Sequence, residues 1–257
     1  MPTHSDELQR NHPPNRIVHV HIPKTAGSAL AQAFQRAYGQ RLRVYPERFE
    51  SRFAPVNYAE FDFYTGHIGF TVASKIGGDF ITVLRDPVDR FLSTYYFLRQ
   101  LYESGEERTH KTSLTNRYKL DQFVLIRDEP ILQQELLNRM TWQIAHSHRM
   151  ELRREFIEAG ISETDLVSIA HYNLKKFAIV GVQEDMGRLT RAIHRRYGVD
   201  LEIGRANVTR SRPHLGEISS RTRDGIEWWV NLDQELYRRW IDMRMSGTDS
   251  PQNRTVG

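Results

Sequence analysis

Between Arg16 and Phe34 the chain changes its hydrophobic period within a few residues, and this change limits the folds open to it. Ile17, Val18, Val20 and Ile22 are spaced as in a strand, whereas Leu30, Phe34 and Ala37 recur at the interval that lines one face of a helix. The switch falls on Pro23-Lys24-Thr25-Ala26-Gly27-Ser28. A strand that turns directly into a helix leaves the first helical N–H groups unpaired and aimed at one spot, where the macrodipole also favours negative charge. Such a turn is an anion site. Lys24 adds a mobile positive charge, Thr25 and Ser28 add hydroxyl donors, and Gly27 omits the Cβ that would hold an oxyanion off the backbone. The plainer alternative, a tight turn built from small residues and nothing more, stays open on these residues alone.

The same strand-then-helix order returns along the chain. A short strand over 61–64 ends in Thr65-Gly66-His67, and the continuous apolar run FITVL (80–84) reads as a parallel strand buried on both faces. That run stops at Arg85-Asp86-Pro87, where Asp86 can cap the next helix and Pro87 suits its first turn. Val88, Phe91, Leu92, Tyr95 and Leu98 give this helix its apolar face. Residues 105–119 are polar and without period and read as a mobile loop; 120–176 are helical with a break at Pro130. FAIVG (177–181) reads as a further strand, followed by a helix to about Tyr197, a basic loop over 204–216 and two closing helices. Trp228, Trp229 and Trp240 on those helices read as core. Alternating strands and helices without an internal repeat predict an α/β fold: a P-loop-like three-layer α/β/α arrangement around a central parallel sheet, with a helix-rich insertion at about 105–176. One domain over 16–245 is expected, between a flexible lead-in (1–15) and a disordered tail (246–257). Ligands of such sheets sit at the carboxyl ends of the strands, where Lys24, His67 and Arg85 all fall.

Composition narrows the function classes. A length of 257 residues suits one elaborated domain, and a net charge of +4 suits a small anionic ligand while being too weak to indicate nucleic acid. The absence of cysteine excludes disulfides, thiolate metal sites and cysteine nucleophiles. Neither an apolar leader nor a membrane-length apolar run is present, so the expectation is a cytoplasmic protein with no membrane partner, its Asn207 and Asn253 sequons unmodified.

The loop at Lys24 follows the logic of a Walker A loop but carries Pro23 where that pattern needs glycine before the lysine, which disfavours a metal-dependent NTPase. Arg85 stands at a strand end beside a helix N-terminus, a place suited to bidentate phosphate recognition, and Ser93 lies three residues beyond Arg90 on the same helix. Taken together, HIPKTAGS (21–28) and LRDPVDRFLSTYY (84–96) resemble the two nucleotide motifs of the sulfotransferases that use 3′-phosphoadenosine 5′-phosphosulfate (PAPS). The likeness is strongest to the branch of heparan sulfate 2-O- and 6-O-sulfotransferases and their bacterial relatives. It spans most of the chain and is thin over 120–176. The resemblance implies that Lys24, Thr25, Ala26, Gly27 and Ser28 hold the 5′-phosphosulfate, with Lys24 stabilising the bridging oxygen as its bond to sulfur breaks. It implies that Arg85 and Ser93 hold the 3′-phosphate, leaving adenosine 3′,5′-bisphosphate (PAP) as product. Ala29 departs from the hydroxyl residue many relatives carry there, and its backbone N–H remains available.

An acceptor hydroxyl needs a base, and the Gly66-His67 segment resembles the one that supplies it in the heparan sulfate branch; His67 is the expected catalytic base. A histidine that only bonds a loop carbonyl is its alternative. His19 and His21 share a strand face without a third ligand nearby, so no metal is expected. Thr209, Arg210 and Arg212 lie in a loop that resembles one closing over the nucleotide in the family, or else form a solvated basic turn, and Tyr45, Phe49 and Phe53 either line an acceptor cleft or pack in the core. The sequence thus reads as a PAPS-dependent sulfotransferase acting on a hydroxyl of a carbohydrate or sugar-bearing metabolite. The rival readings are a phosphoadenosine-binding protein without turnover and a P-loop small-molecule kinase.

Overall fold

Strands whose successive side chains are all apolar must bury both faces of their sheet, and that requirement sets the layers here. The computed structural model describes residues 16–45, 61–147, 149–200, 213 and 215–246. Among them, β1 (Ile17–Val20), β2 (Leu42–Tyr45), β3 (Phe63–Gly66), β4 (Asp79–Leu84) and β5 (Ile179–Val182) form one parallel sheet in the order β2-β3-β1-β4-β5. The helices in chain order are α1 (Gly27–Tyr38), α2 (Phe70–Ile76), α3 (Pro87–Ser104), α4 (His110–Arg117), α5 (Leu120–Phe123), α6 (Pro130–Leu136), α7 (Arg139–Ala145), α8 (Met150–Glu158), α9 (Glu163–Leu174), α10 (Met186–Tyr197) and α11 (Ser220–Met245).

Ile17, Phe63, Ile81, Val83 and Ile179 pack on α1 and α10 from one face of the sheet. Val18, Val20, Tyr64 and Leu84 pack from the other face with α2, α7, α9 and the second half of α11. This is the α/β/α layering the sequence predicts. A third core joins α3, α4, α5, α6 and the first half of α11 through Phe91, Tyr95, Leu114, Phe123, Leu136 and Trp229. No helix among the described residues is long and apolar enough to cross a membrane.

β1 lies in the middle of the sheet, between β3 and β4. The chain leaves it through α1 toward β2 and β3 on one side, then returns across it through α2 to β4 on the other. Consecutive connections therefore part at the carboxyl end of β1 and open a crevice there. The ends of β3 and β4 border that crevice, so His67 and Arg85 flank the loop that carries Lys24.

The helical insertion is tied to α11 by exchanged polar groups. Val230 (φ −130, ψ 17) kinks α11, and the Trp229 carbonyl accepts a hydrogen bond from the Asn138 N–H at 2.9 Å. Asn138 Oδ1 in return accepts from the Leu232 N–H at 2.9 Å. Fully buried Asp233 caps α7 from outside, accepting from the Thr141 N–H at 2.7 Å, the Thr141 hydroxyl at 2.8 Å and the Met140 N–H at 3.2 Å. Buried Arg90, Arg139 and Arg153 donate to carbonyls at the end of α6, which satisfies acceptors that a helix terminus leaves open. Burial pushes Arg153 down to about 9 and Arg90 down to about 10.

The structure departs from the sequence reading in three places. The aperiodic stretch 105–119 contains α4, whose start is fixed locally by the Thr109 N–H donating to the Thr112 hydroxyl at 2.9 Å and whose Thr112, Leu114 and Thr115 are buried. A helix that buries mostly threonine leaves no apolar period to read. The segment after α1 includes β2, paired to β3. The two closing helices are the two halves of α11, parted by the kink at Val230, and of their tryptophans Trp228 is exposed while Trp229 and Trp240 are buried. The lead-in 1–15, residues 46–60 with Phe49 and Phe53, the loop residues Asn207, Thr209, Arg210 and Arg212, and the tail 247–257 lie outside the described residues.

Candidate active site

The turn from β1 into α1 occupies residues 21–26 and needs the left-handed backbone twice, at Lys24 (φ 66) and Ala26 (φ 64). Neither is glycine, so this loop holds a conformation that costs of order 1 kcal/mol or more per residue. The hydroxyl of fully buried Thr25 donates to the Ile22 carbonyl at 2.8 Å and so fastens the turn. The proton of that hydroxyl is spent on the loop, so Thr25 has only its backbone N–H left to offer an anion. The N-terminus of α1 has no side-chain cap and no acidic residue in its first turn. The Leu30 N–H is the first to bond back into the helix, to Ala26 O at 3.2 Å, so the N–H groups of Gly27, Ser28 and Ala29 have no carbonyl within the helix. Here the chain presents the donors that an oxyanion requires. Ser28 is exposed beside them and Ala29 is buried.

Gly27 has a steric reason that the sequence does not disclose. A Cβ there would lie 2.0 Å from His21 Cδ2, because the His21 imidazole sits against the first turn of α1. His21 also stacks on His19 with ring centroids 5.3 Å apart and meets His67 at 4.6 Å and 60°. Three imidazoles therefore run from the sheet interior to the crevice. His19 is fully buried, and its Nδ1 hydrogen-bonds the Thr65 hydroxyl at 2.9 Å. Burial first, then the neighbouring His67, pushes His19 down to about 3. The same causes, with His19, Arg139 and Lys24 adding to them, hold His21 well below the usual histidine range. Both rings are neutral near pH 7. His67, half-buried, is the member of the row at the end of β3.

Arg85, buried at the end of β4, joins the two motifs. Its Nη1 donates to the Lys24 carbonyl at 2.7 Å, and its Nε donates to Asp89 Oδ2 at 2.8 Å. Asp89, Ser93 and Phe97 succeed one another at i, i+4 along α3 and form a stripe on one side of that helix. The stripe faces the loop, since the Lys24 ammonium lies 3.7 Å from the Phe97 ring centroid. Ser93 is buried between them in the chain, whereas Arg90 is buried toward Leu136 and Asp233. Asp86 caps α3 as expected, accepting from the Asp89 N–H at 2.8 Å.

Lys24, Gly27, His67 and Arg85 are thus brought to one crevice from three strand ends, and Ser93 stands on the helix that borders it. Phe97, Asp89 and His21 join them. Gln143 joins the site only in three dimensions: fully buried in α7, its Nε2 donates to the His21 carbonyl and to the Ile68 carbonyl, both at 2.9 Å. Its partners are 122 and 75 residues away in the chain, so no local pattern marks it.

An open α/β sheet with an uncapped helix N-terminus and a buried arginine at its central switch point has the geometry that suits an anionic ligand. The description Sulfotransferase family matches residues 10–239, and the chain belongs to that family. It is an enzyme of sulfuryl transfer to an acceptor. Among solved structures, a crystal structure of mouse sulfotransferase SULT7A1 complexed with PAP is similar at 11% identity over 92% of this chain and 86% of that one, with a TM-score of 0.36. No curated protein sequence matches the chain.

Proposed function

We propose that this protein transfers the sulfuryl group of PAPS to a hydroxyl of a carbohydrate or a sugar-bearing metabolite. The observation that carries the proposal is the 2.7 Å bond from Arg85 to the Lys24 carbonyl, which brings the two motifs side by side and supports reading them as one anion site. A nucleotide with phosphates on both its 3′ and 5′ positions has two anionic ends separated by one ribose. The open N-terminus of α1 with Lys24 fits the 5′ end, and Arg85 with Ser93 fits the 3′ end, which separates this donor from ATP. The bound donor supplies an activated sulfuryl group and a phosphate leaving group. Lys24 would swing from Phe97 to meet charge on the bridging oxygen, and Gly27, Ser28 and Ala29 would fix the phosphate by backbone donors that need no reorganisation. His67 would take the acceptor proton, the acceptor being held in line by the crevice. The likeness of the Gly66-His67 segment to the heparan sulfate branch supports a sugar acceptor, and the loop at Thr209, Arg210 and Arg212 is proposed to close over the nucleotide. Two cores that meet along α11, one over each half of it, support residues 16–245 acting as one domain.

The test is a thermal-shift comparison of PAP, ADP and ATP with magnesium. A ligand at about 100 times its dissociation constant adds roughly 2.7 kcal/mol of stability. PAP alone should stabilise; the shift should vanish in Lys24→Ala and shrink in Arg85→Ala. Equal shifts with ATP would replace this reading by a kinase. Turnover is then followed as PAP released from PAPS with a panel of pyranosides, oligosaccharides and phenols, and His67→Ala should keep PAP binding while losing transfer to every member.

A further inference from the structure

We infer that Gln143 is a positioning residue that holds the two imidazoles at the crevice in register with the anion-binding turn. The inference rests on the reading of His67 as the base. Gln143 lies on α7, beneath the crevice and outside both nucleotide motifs. Its single amide nitrogen donates to the carbonyl of His21 and to that of Ile68, the residue after His67. One –NH₂ group therefore ties the segment leaving β1 to the segment leaving β3, at the point where both have left the sheet ladder. Sheet hydrogen bonds hold these two segments together only as far as the His21 N–H, which donates to the Gly66 carbonyl at 3.0 Å. Beyond it the His21–His67 ring contact of 4.6 Å depends on what fixes the backbone on either side.

The amide is itself oriented. The guanidinium of buried Arg139 donates from Nε to Gln143 Oε1 at 3.2 Å, which turns the nitrogen toward the two carbonyls. The helix below cannot slide, because Asp233 caps it at Met140 and Thr141 and the Asn138 exchange anchors its start to the kink in α11. A rigid path of hydrogen bonds thus leads from α11 through α7 to His21 and Ile68. His21 in turn stands against Gly27, so a shift of this backbone moves the ring that shapes the first turn of α1 as well as the ring at His67. Misplacing a reacting group by about 1 Å can cost around 100-fold in rate, which makes a clamp of this kind consequential without any contact to substrate.

Asn173 provides a matched control. It is buried, and its Nδ2 donates to the carbonyls of Ile144 and Ala145 at 3.1 Å each, on the same helix but away from the crevice. Gln143→Met and Asn173→Leu each remove one amide that bonds two carbonyls, and both should lower the melting temperature by similar amounts. The decisive readout is the imidazole Cε1–H spectrum of the PAP-bound protein, with the eleven histidines assigned by single substitution. Gln143→Met should displace the His21 and His67 resonances, and Asn173→Leu should leave both in place. With the first acceptor of the panel that turns over, Gln143→Met should lower kcat about tenfold, against less than twofold for Asn173→Leu. Gln143→Asn, which keeps the amide but falls one methylene short of both carbonyls, should behave like Gln143→Met and serves if the latter does not fold. Unmoved His21 and His67 resonances in the Gln143 variants, or equal kcat losses in the Gln143 and Asn173 variants, overturn the inference. Retained transfer in His67→Ala instead removes the base assignment, and the spectra judge the clamp independently of that result.

Discussion

The N-termini of α1 and α3 follow neighbouring parallel strands and are finished in opposite ways. The start of α3 is closed by its own chain: Asp86 caps it, Pro87 occupies the first helical position, Asp89 lies in the first turn, and the Asp86 N–H donates to Glu184 at 3.1 Å. The start of α1 has neither a capping side chain nor an acid. A helix terminus that satisfies its own donors can no longer offer them to a ligand, so under the proposed function α3 would contribute through side chains, Arg85 before it and Ser93 within it. The α1 terminus offers backbone donors, which are fixed in place and cannot be mistaken for those of another site. Asp89 gives the side-chain site a comparable rigidity by holding one edge of Arg85 while the Lys24 carbonyl holds another nitrogen.

The sharpest way to break this contrast is to close α1 as α3 is closed. Ala26→Asp places a carboxylate at the open terminus in a left-handed position that aspartate tolerates. It should leave the fold at least as stable in a melt without ligand and reduce PAP affinity by about 100-fold or more in a calorimetric titration, since about 1.4 kcal/mol separates each tenfold step. Unchanged affinity would show that α1 is not the anion receptor. Next in size, Arg85→Ala should weaken PAP by roughly ten- to a hundredfold, the usual worth of a charged hydrogen bond, and should leave the affinity for AMP, which lacks the 3′-phosphate, within about twofold of the parent. An equal loss for both ligands would move Arg85 to the 5′ end. Asp86→Ala should have the smallest effect, about 1 kcal/mol of stability from the lost cap with PAP affinity unaltered. A large loss of affinity there would mean that the closed terminus also serves the ligand.

What could be read in advance follows the range over which each cause acts. The strand-to-helix turn at 23–28, the cap at Asp86 and the buried strand at 80–84 are set by residues within a turn of one another, and the structure carries each of them. The match of residues 10–239 to the Sulfotransferase family agrees with the pairing of the two motifs. Helix α4 escaped because its buried side is threonine-rich, and β2 because a four-residue edge strand has too few positions to show a period. Gly27 was read as room for an oxyanion, yet the nearest atoms to its absent Cβ are those of His21.

By itself the sequence determined where strands give way to helices, which turn is left without an acid, and which cation stands at which strand end, because those properties belong to short windows of chain. The tertiary structure alone decided that three imidazoles form a row, that Arg85 reaches the Lys24 carbonyl 61 residues away, and that Gln143 binds His21 and Ile68 at once. The physical reason is that a buried polar group must find a partner wherever packing brings one, and the distance along the chain has no bearing on which one it finds.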